Sequence, residues 1–179
     1  MAEQHNPRIS IIVPAYNIEN YIEQCLDSIV HQPFRDIEII CVEDCSTDNT
    51  LSVLEFFADK DTRIKVITHD KNKGLSAARN TGIDASAGTY ILYLDSDDYL
   101  LPDALQRMWE AVQENNLDLL TFCRENFQSD DWSGYVILPT KYRTVSVGSI
   151  MTGPELMDLQ IRHGEFNPVV WPNWCAEIF

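Results

Sequence analysis

Apolar positions along the first two thirds of the chain switch regularly between two periods. Ile9-Ser10-Ile11-Ile12-Val13 is a β-branched run closed by Pro14, which predicts a buried strand. Ile22, Cys25, Leu26, Ile29 and Val30 then recur at helical spacing and define one apolar face. Ile37 to Val42 is a second strand ending in Glu43-Asp44, and Ser46-Thr47-Asp48-Asn49 offers N-cap candidates ahead of Leu51, Leu54 and Phe57. A third strand, Ile64 to Thr68, leads into Asp70-Lys71-Asn72-Lys73-Gly74, and Leu75 to Gly82 reads as a short helix of small residues. Tyr90 to Leu94 is the fourth strand. Pro102 suits the first turn of a helix whose face is Leu105, Met108, Trp109 and Val112, and Leu117 to Cys123 is a fifth strand. Such alternation predicts an α/β fold, a mostly parallel sheet with helices on both faces.

Beyond residue 125 the pattern loosens. Asp130 to Gly134 is turn chemistry, Tyr135 to Leu138 fits an antiparallel strand, and Thr152-Gly153-Pro154-Glu155 is a capping box opening a helix that stops near Gly164. Asn167 to Pro172 reads as extended. With 179 residues the chain fits one domain. No 18-residue apolar run is present, so no transmembrane segment is expected, and the polar start Met1 to Asn6 lacks a secretory apolar region.

A formal charge of −15 excludes nucleic acid as a partner, because phosphate backbones require clustered Lys and Arg. Cys25, Cys41, Cys45, Cys123 and Cys175 are odd in number and widely spaced, which fits reduced thiols in a cytoplasmic protein. Cys41 and Cys45 have no second pair at zinc-binding spacing.

The fourth strand runs straight into Asp95-Ser96-Asp97-Asp98. Unpaired charge is costly to bury, so these acids should emerge where the strand leaves the core, the end at which α/β sheets bind ligands. Two readings are open there: a solvated turn, or an oxygen site for Mg²⁺ or Mn²⁺ completed by substrate phosphates. A G-x-G-x-x-G after the first strand and a Walker A loop are both absent, which favours the metal. Asp44 at the end of the second strand could accept a pyrimidine N–H or ribose hydroxyls; Lys71, Lys73 and Arg79 put positive charge after the third. Ser46 and Asp48 are explained as well by helix capping. His31, His69 and His163 lack companion ligands and read as surface or core histidines, and Trp171 and Trp174 as packing residues.

The succession Val13-Pro14-Ala15-Tyr16-Asn17, Val42-Glu43-Asp44-Cys45-Ser46-Thr47-Asp48, Asn72-Lys73-Gly74-Leu75-Ser76-Ala77-Ala78-Arg79-Asn80 and Leu94-Asp95-Ser96-Asp97-Asp98 resembles glycosyltransferase family 2. The resemblance covers residues 8 to 125 and implies the GT-A fold, a Rossmann-like nucleotide-diphospho-sugar transferase. It implies donor binding within residues 1–125 and the start of an acceptor-side region in 126–179.

By the same resemblance, Pro14, Ala15, Tyr16, Asn17 and Asp44 would hold the uracil end of a UDP-sugar, with Arg79, Lys73 and Gly74 helping. Asp95 and Ser96 would lie near the ribose and metal, and Asp97 would ligate Mn²⁺ or Mg²⁺ on the diphosphate. The implied reaction inverts the sugar's anomeric carbon onto a glycan, lipid-linked or other hydroxyl acceptor, in glycan or polysaccharide assembly at the inner face of a membrane. Two departures stand out. Cys45 occupies a position that is usually glycine, so a positive φ there would be strained. Asp158, Glu165 and Glu177 match no base motif, so the general base is expected beyond Phe179. Rival expectations are a non-catalytic nucleotide-sugar-binding module and another Mg²⁺-dependent phosphotransferase.

Overall fold

The computed structural model describes residues 7–118 and residue 120. Within them the chain alternates strictly: β1 (Ile9–Ala15), α1 (Ile22–Val30), β2 (Ile37–Glu43), α2 (Thr50–Ala58), β3 (Ile64–Thr68), α3 (Leu75–Ala85), β4 (Tyr90–Tyr93) and α4 (Ala104–Asn115). The sheet order is β3-β2-β1-β4, and all three described pairings are parallel. Most of the fifth strand expected at 117–123, and everything expected after it, lies outside the described residues.

Alternate strand residues serve two different layers. Ile11, Val13, Ile39, Cys41 and Leu92 join Ile22, Leu26 and Ile29 of α1, Leu54 of α2 and Leu105 of α4 in one apolar core. On the opposite face, Ile40 and Val42 pack with Ala78 of α3. Ala78 and Gly82 let α3 lie close: a Cβ on Gly82 would overlap the Cγ2 of Ile12, which is fully buried. Small residues in α3 are therefore a packing requirement of this face.

Three boundaries differ from the sequence expectation, each for a local reason. Pro14 does not end β1; it pairs in register with Val42, and the strand runs on to Ala15. Ile12 O accepts from Leu94 N, so by alternation the nitrogen of Pro14 points to the β4 side, where β4 has already ended. The missing donor costs no ladder bond. Pro102 lies two residues ahead of α4, whose N-cap is Asp103 in the left-handed region at φ 62°. The α3 helix continues three residues past Gly82, to Ala85.

The chain steps outward from β1 to β2 to β3, and then α3 carries it back across the sheet to β4 on the other side of β1. The order thus reverses between β1 and β4, and the crevice at the carboxyl ends of the strands is where such sheets hold ligands. No helix among the described residues is long and apolar enough to cross a membrane.

Gly82→Ala should test the α3 packing. Alanine is favoured over glycine by about 1 kcal/mol in an exposed helix. Overpacking against a buried β-branched side chain costs about 1–3 kcal/mol. The expected result is a lower urea midpoint at unchanged slope; a raised midpoint would refute the close approach.

Candidate functional site

Four segments leave the strands at this crevice, and polar side chains tie them together. Asn17, at φ 50°, follows β1; its N–H donates to Ser46 Oγ at 3.0 Å, and its Oδ1 accepts from Thr47 N at 2.8 Å. Ile18 N donates to Thr50 Oγ1 at 2.9 Å, and Glu19 N to Asp48 Oδ2 at 3.1 Å. Glu19 returns the bond by accepting from Asn49 N at 2.9 Å. Asp48 also accepts from the N–H of Thr50, the first residue of α2, at 3.0 Å. The loops after β1 and β2 are thus one clamped unit.

Glu43 turns its carboxylate back on its own loop, accepting from Cys45 N at 3.2 Å and Ser46 N at 2.5 Å. Those bonds hold Cys45 in the left-handed region at φ 63°, the strain anticipated from its place in the motif.

Asp44 is buried at the end of β2 and gathers the next segment. Its Oδ1 accepts from Lys73 N at 2.8 Å and its Oδ2 from Gly74 N at 2.7 Å. The third partner is His69 Nδ1, 2.6 Å from Oδ1, while His69 Nε2 lies 2.9 Å from Thr81 Oγ1 on α3. Burial alone would raise the Asp44 carboxyl; the hydrogen bonds from His69, Lys73 and Gly74 outweigh it and hold the group below its ordinary value. Of the two readings open for His69, surface or core histidine, the structure shows the second, with a carboxylate partner that the sequence does not reveal. Sequence spacing could not have paired it, since its partner lies 25 residues away in the chain. Gly74, at φ 87°, caps α3 in a conformation that glycine adopts without strain.

At the end of β4, Asp98 N donates to Asp95 O at 2.9 Å, closing a tight turn that leaves Asp97 exposed. Arg79 reaches from α3 to Asp95 Oδ1 at 2.6 Å, with its guanidinium carbon 6.0 Å from the Tyr93 ring. Ser96 is buried. Among the described residues no group of three or more His, Cys, Asp or Glu is placed to hold a metal by itself. Mg²⁺ commonly needs only one or two carboxylates besides phosphate oxygens, so the hard-oxygen pair Asp95 and Asp97 suits such an ion.

The expected site residues divide accordingly. Asp44, Lys73 and Gly74 are joined by hydrogen bonds, and Arg79 and Asp95 form a second pair, tied to the first through α3. Pro14 and Ala15 are buried within β1, so only their backbone could meet a ligand. Asn17 spends its side chain on the neighbouring loop. Tyr16 is 48% exposed beside the crevice. A separate apolar cavity of about 470 Å³, lined by Tyr90, Leu92, Met108, Trp109 and Leu120, carries none of these residues. Cys25 and Cys41 are free and buried, and Cys45 is free and exposed.

Comparison with known proteins agrees with this architecture. Residues 10–155 match the family described as glycosyl transferase family 2. The chain is 42% identical over 168 residues to the uncharacterized glycosyltransferase EpsJ of Bacillus subtilis, covering 94% of this chain and 46% of that protein. It is 44% identical over 115 residues to a poly(ribitol-phosphate) beta-glucosyltransferase of Bacillus spizizenii, covering 63% of this chain and 18% of the relative. Among solved structures it is similar to S. aureus TarS 1–349 in complex with UDP-GlcNAc, with a TM-score of 0.65 and 32% identity over 69% of this chain and 36% of that one. The chain spans less than half the length of each of these relatives.

Two substitutions probe the array. Asp44→Asn turns an amide N–H donor toward groups that are themselves donors and should cost about 1–3 kcal/mol in denaturant unfolding. The folded-state value of Asp44 is depressed, so its contribution is complete above the ordinary carboxylate range and fades as pH falls through the lowered value. The gap between wild type and variant should shrink in acid in that order. Cys45→Gly should relieve the left-handed strain and raise stability by up to about 1 kcal/mol, measured the same way.

Proposed function

Because the chain belongs to glycosyl transferase family 2, we propose that it forms the donor half of an inverting GT-A glycosyltransferase that uses a UDP-sugar in glycan or polysaccharide assembly. The single observation that carries this reading is the array at the strand ends, where Asp44 fixes the Lys73–Gly74 segment and Arg79 fixes Asp95. The likeness to TarS bound to UDP-GlcNAc supports uridine as the nucleotide.

In this reading Asp44 meets the uracil. An ionised carboxylate accepts about four hydrogen bonds. Three are made by His69, Lys73 and Gly74, so one acceptor position on Oδ2 remains for the ring N–H. Tyr16 covers the base from the β1 side. Lys73 and the first turn of α3 bring positive charge and backbone donors toward the diphosphate.

Asp95 and Asp97 take different tasks. Arg79 already occupies one oxygen of Asp95, which holds that carboxylate in one orientation beside the ribose. Asp97 is free to turn outward, and together they would hold Mn²⁺ or Mg²⁺. When bound, the ion would neutralise charge on the departing diphosphate, an effect worth several kcal/mol. Asp44 and Asp95 are committed acceptors, and neither suits a base that must receive a proton from the acceptor hydroxyl. We assign that base to the acceptor side, outside the described residues. The acceptor is a glycan, lipid-linked or other hydroxyl compound on the cytoplasmic side of a membrane.

Calorimetry of UDP, GDP and dTDP with and without Mn²⁺ tests the site. UDP should bind best, binding should weaken by about tenfold or more without the ion, and Asp97→Ala should abolish that dependence. Metal-independent binding that survives Asp97→Ala would refute it.

A further inference from the structure

His69 is the one buried histidine of the described residues, and both its ring nitrogens are engaged. Depressed and surrounded by N–H donors, Asp44 is ionised and can only accept. The proton between them therefore sits on His69 Nδ1, leaving Nε2 to accept from the Thr81 hydroxyl when the ring is neutral. This fixes the tautomer and anchors the ring on α3, the helix that also carries Arg79. A chain of contacts runs from α3 through Thr81 and His69 to Asp44, and from there to the backbone of Lys73 and Gly74, which opens the same helix. The closed circuit has a reason in energetics. A buried carboxylate short of one donor would rotate toward water, and its free Oδ2 position would no longer have a fixed direction.

We propose that His69 is a positioning residue for nucleotide selection: by holding Asp44 Oδ1, it aims the remaining acceptor of Oδ2 at the base and makes the site choose a ring that presents an N–H. The inference rests on the reading of Asp44 as the base-contacting residue. Uracil offers a ring N–H at that edge, whereas cytosine, of nearly the same size and shape, offers a lone pair. The choice between them should therefore report the aim of Asp44 and little else.

The test is calorimetric titration of the full-length enzyme with UDP and CDP in the presence of Mn²⁺. Wild type should prefer UDP by about tenfold or more. His69→Ala should bring the preference to within about twofold of unity by weakening UDP alone, and His69→Asn, whose side-chain N–H can replace Nδ1–H, should recover much of it. Thr81→Val keeps the imidazole but removes its anchor, and should give an intermediate preference even if His69→Ala does not fold. An unchanged preference in both His69→Ala and Thr81→Val, or an equal loss of UDP and CDP binding, would overturn the proposal. A wild-type enzyme indifferent to the two nucleotides would overturn the reading of Asp44 itself, and the role of His69 with it. Imidazole nitrogen shifts give an independent check: protonation of His69 at Nε2 alone is incompatible with the assignment.

Discussion

A carboxylate buried at the end of β2 must find donors, and the donors available to Asp44 determine how the crevice is built. Left unpaired, such a group would cost several kcal/mol or take up a proton. Here it is met by two backbone N–H groups from the segment entering α3 and by an imidazole at the end of β3. The requirement of one charge therefore orders a glycine-containing turn, sets where α3 begins, and buries a histidine. Because α3 also supplies Arg79, the same constraint reaches the acids after β4.

Around this point the polar residues of the crevice serve the fold and the ligand together. Asn17, Ser46, Asp48 and Glu19 each accept a hydrogen bond from the backbone of the facing loop, and so lock the two loops together. A ligand arriving at the strand ends meets loops that are already arranged, so little ordering entropy remains to be lost on binding. Strain is tolerated in the same place. Cys45 and Asn17 adopt left-handed backbone, each with a hydrogen bond from its own or its neighbour's N–H to hold it.

The division of labour between Arg79 and Asp95 follows the same logic. The buried guanidinium of Arg79 on α3 needs an anion, and it pairs with the carboxylate of Asp95. Once it is paired, Asp95 has a single orientation, while Asp97, two residues on across a closed turn, faces solvent. Two acids that look equivalent in a D-x-D spacing thereby become different groups. The sheet order makes this possible, since α3 crosses from β3 back to β4 and so spans the crevice from one wall to the other.

The alternation of strands and helices, the parallel sheet and the strand ends at which the acids emerge were all legible from residue order, because periodicity and the cost of burying charge act locally. Cys45 could be flagged as strained for the same reason: backbone preference belongs to the single residue. What residue order could not supply were the partners. His69 gave no signal because its carboxylate lies 25 positions upstream, and the loop that Asn17 clamps lies 30 positions downstream. Pro14 looked like a strand end because only the sheet order reveals that its nitrogen faces past the end of β4. Local physics determined the elements and the chemistry of this chain, and the packing of α3 across the sheet decided which of its polar groups are committed to one another and which remain open to a ligand.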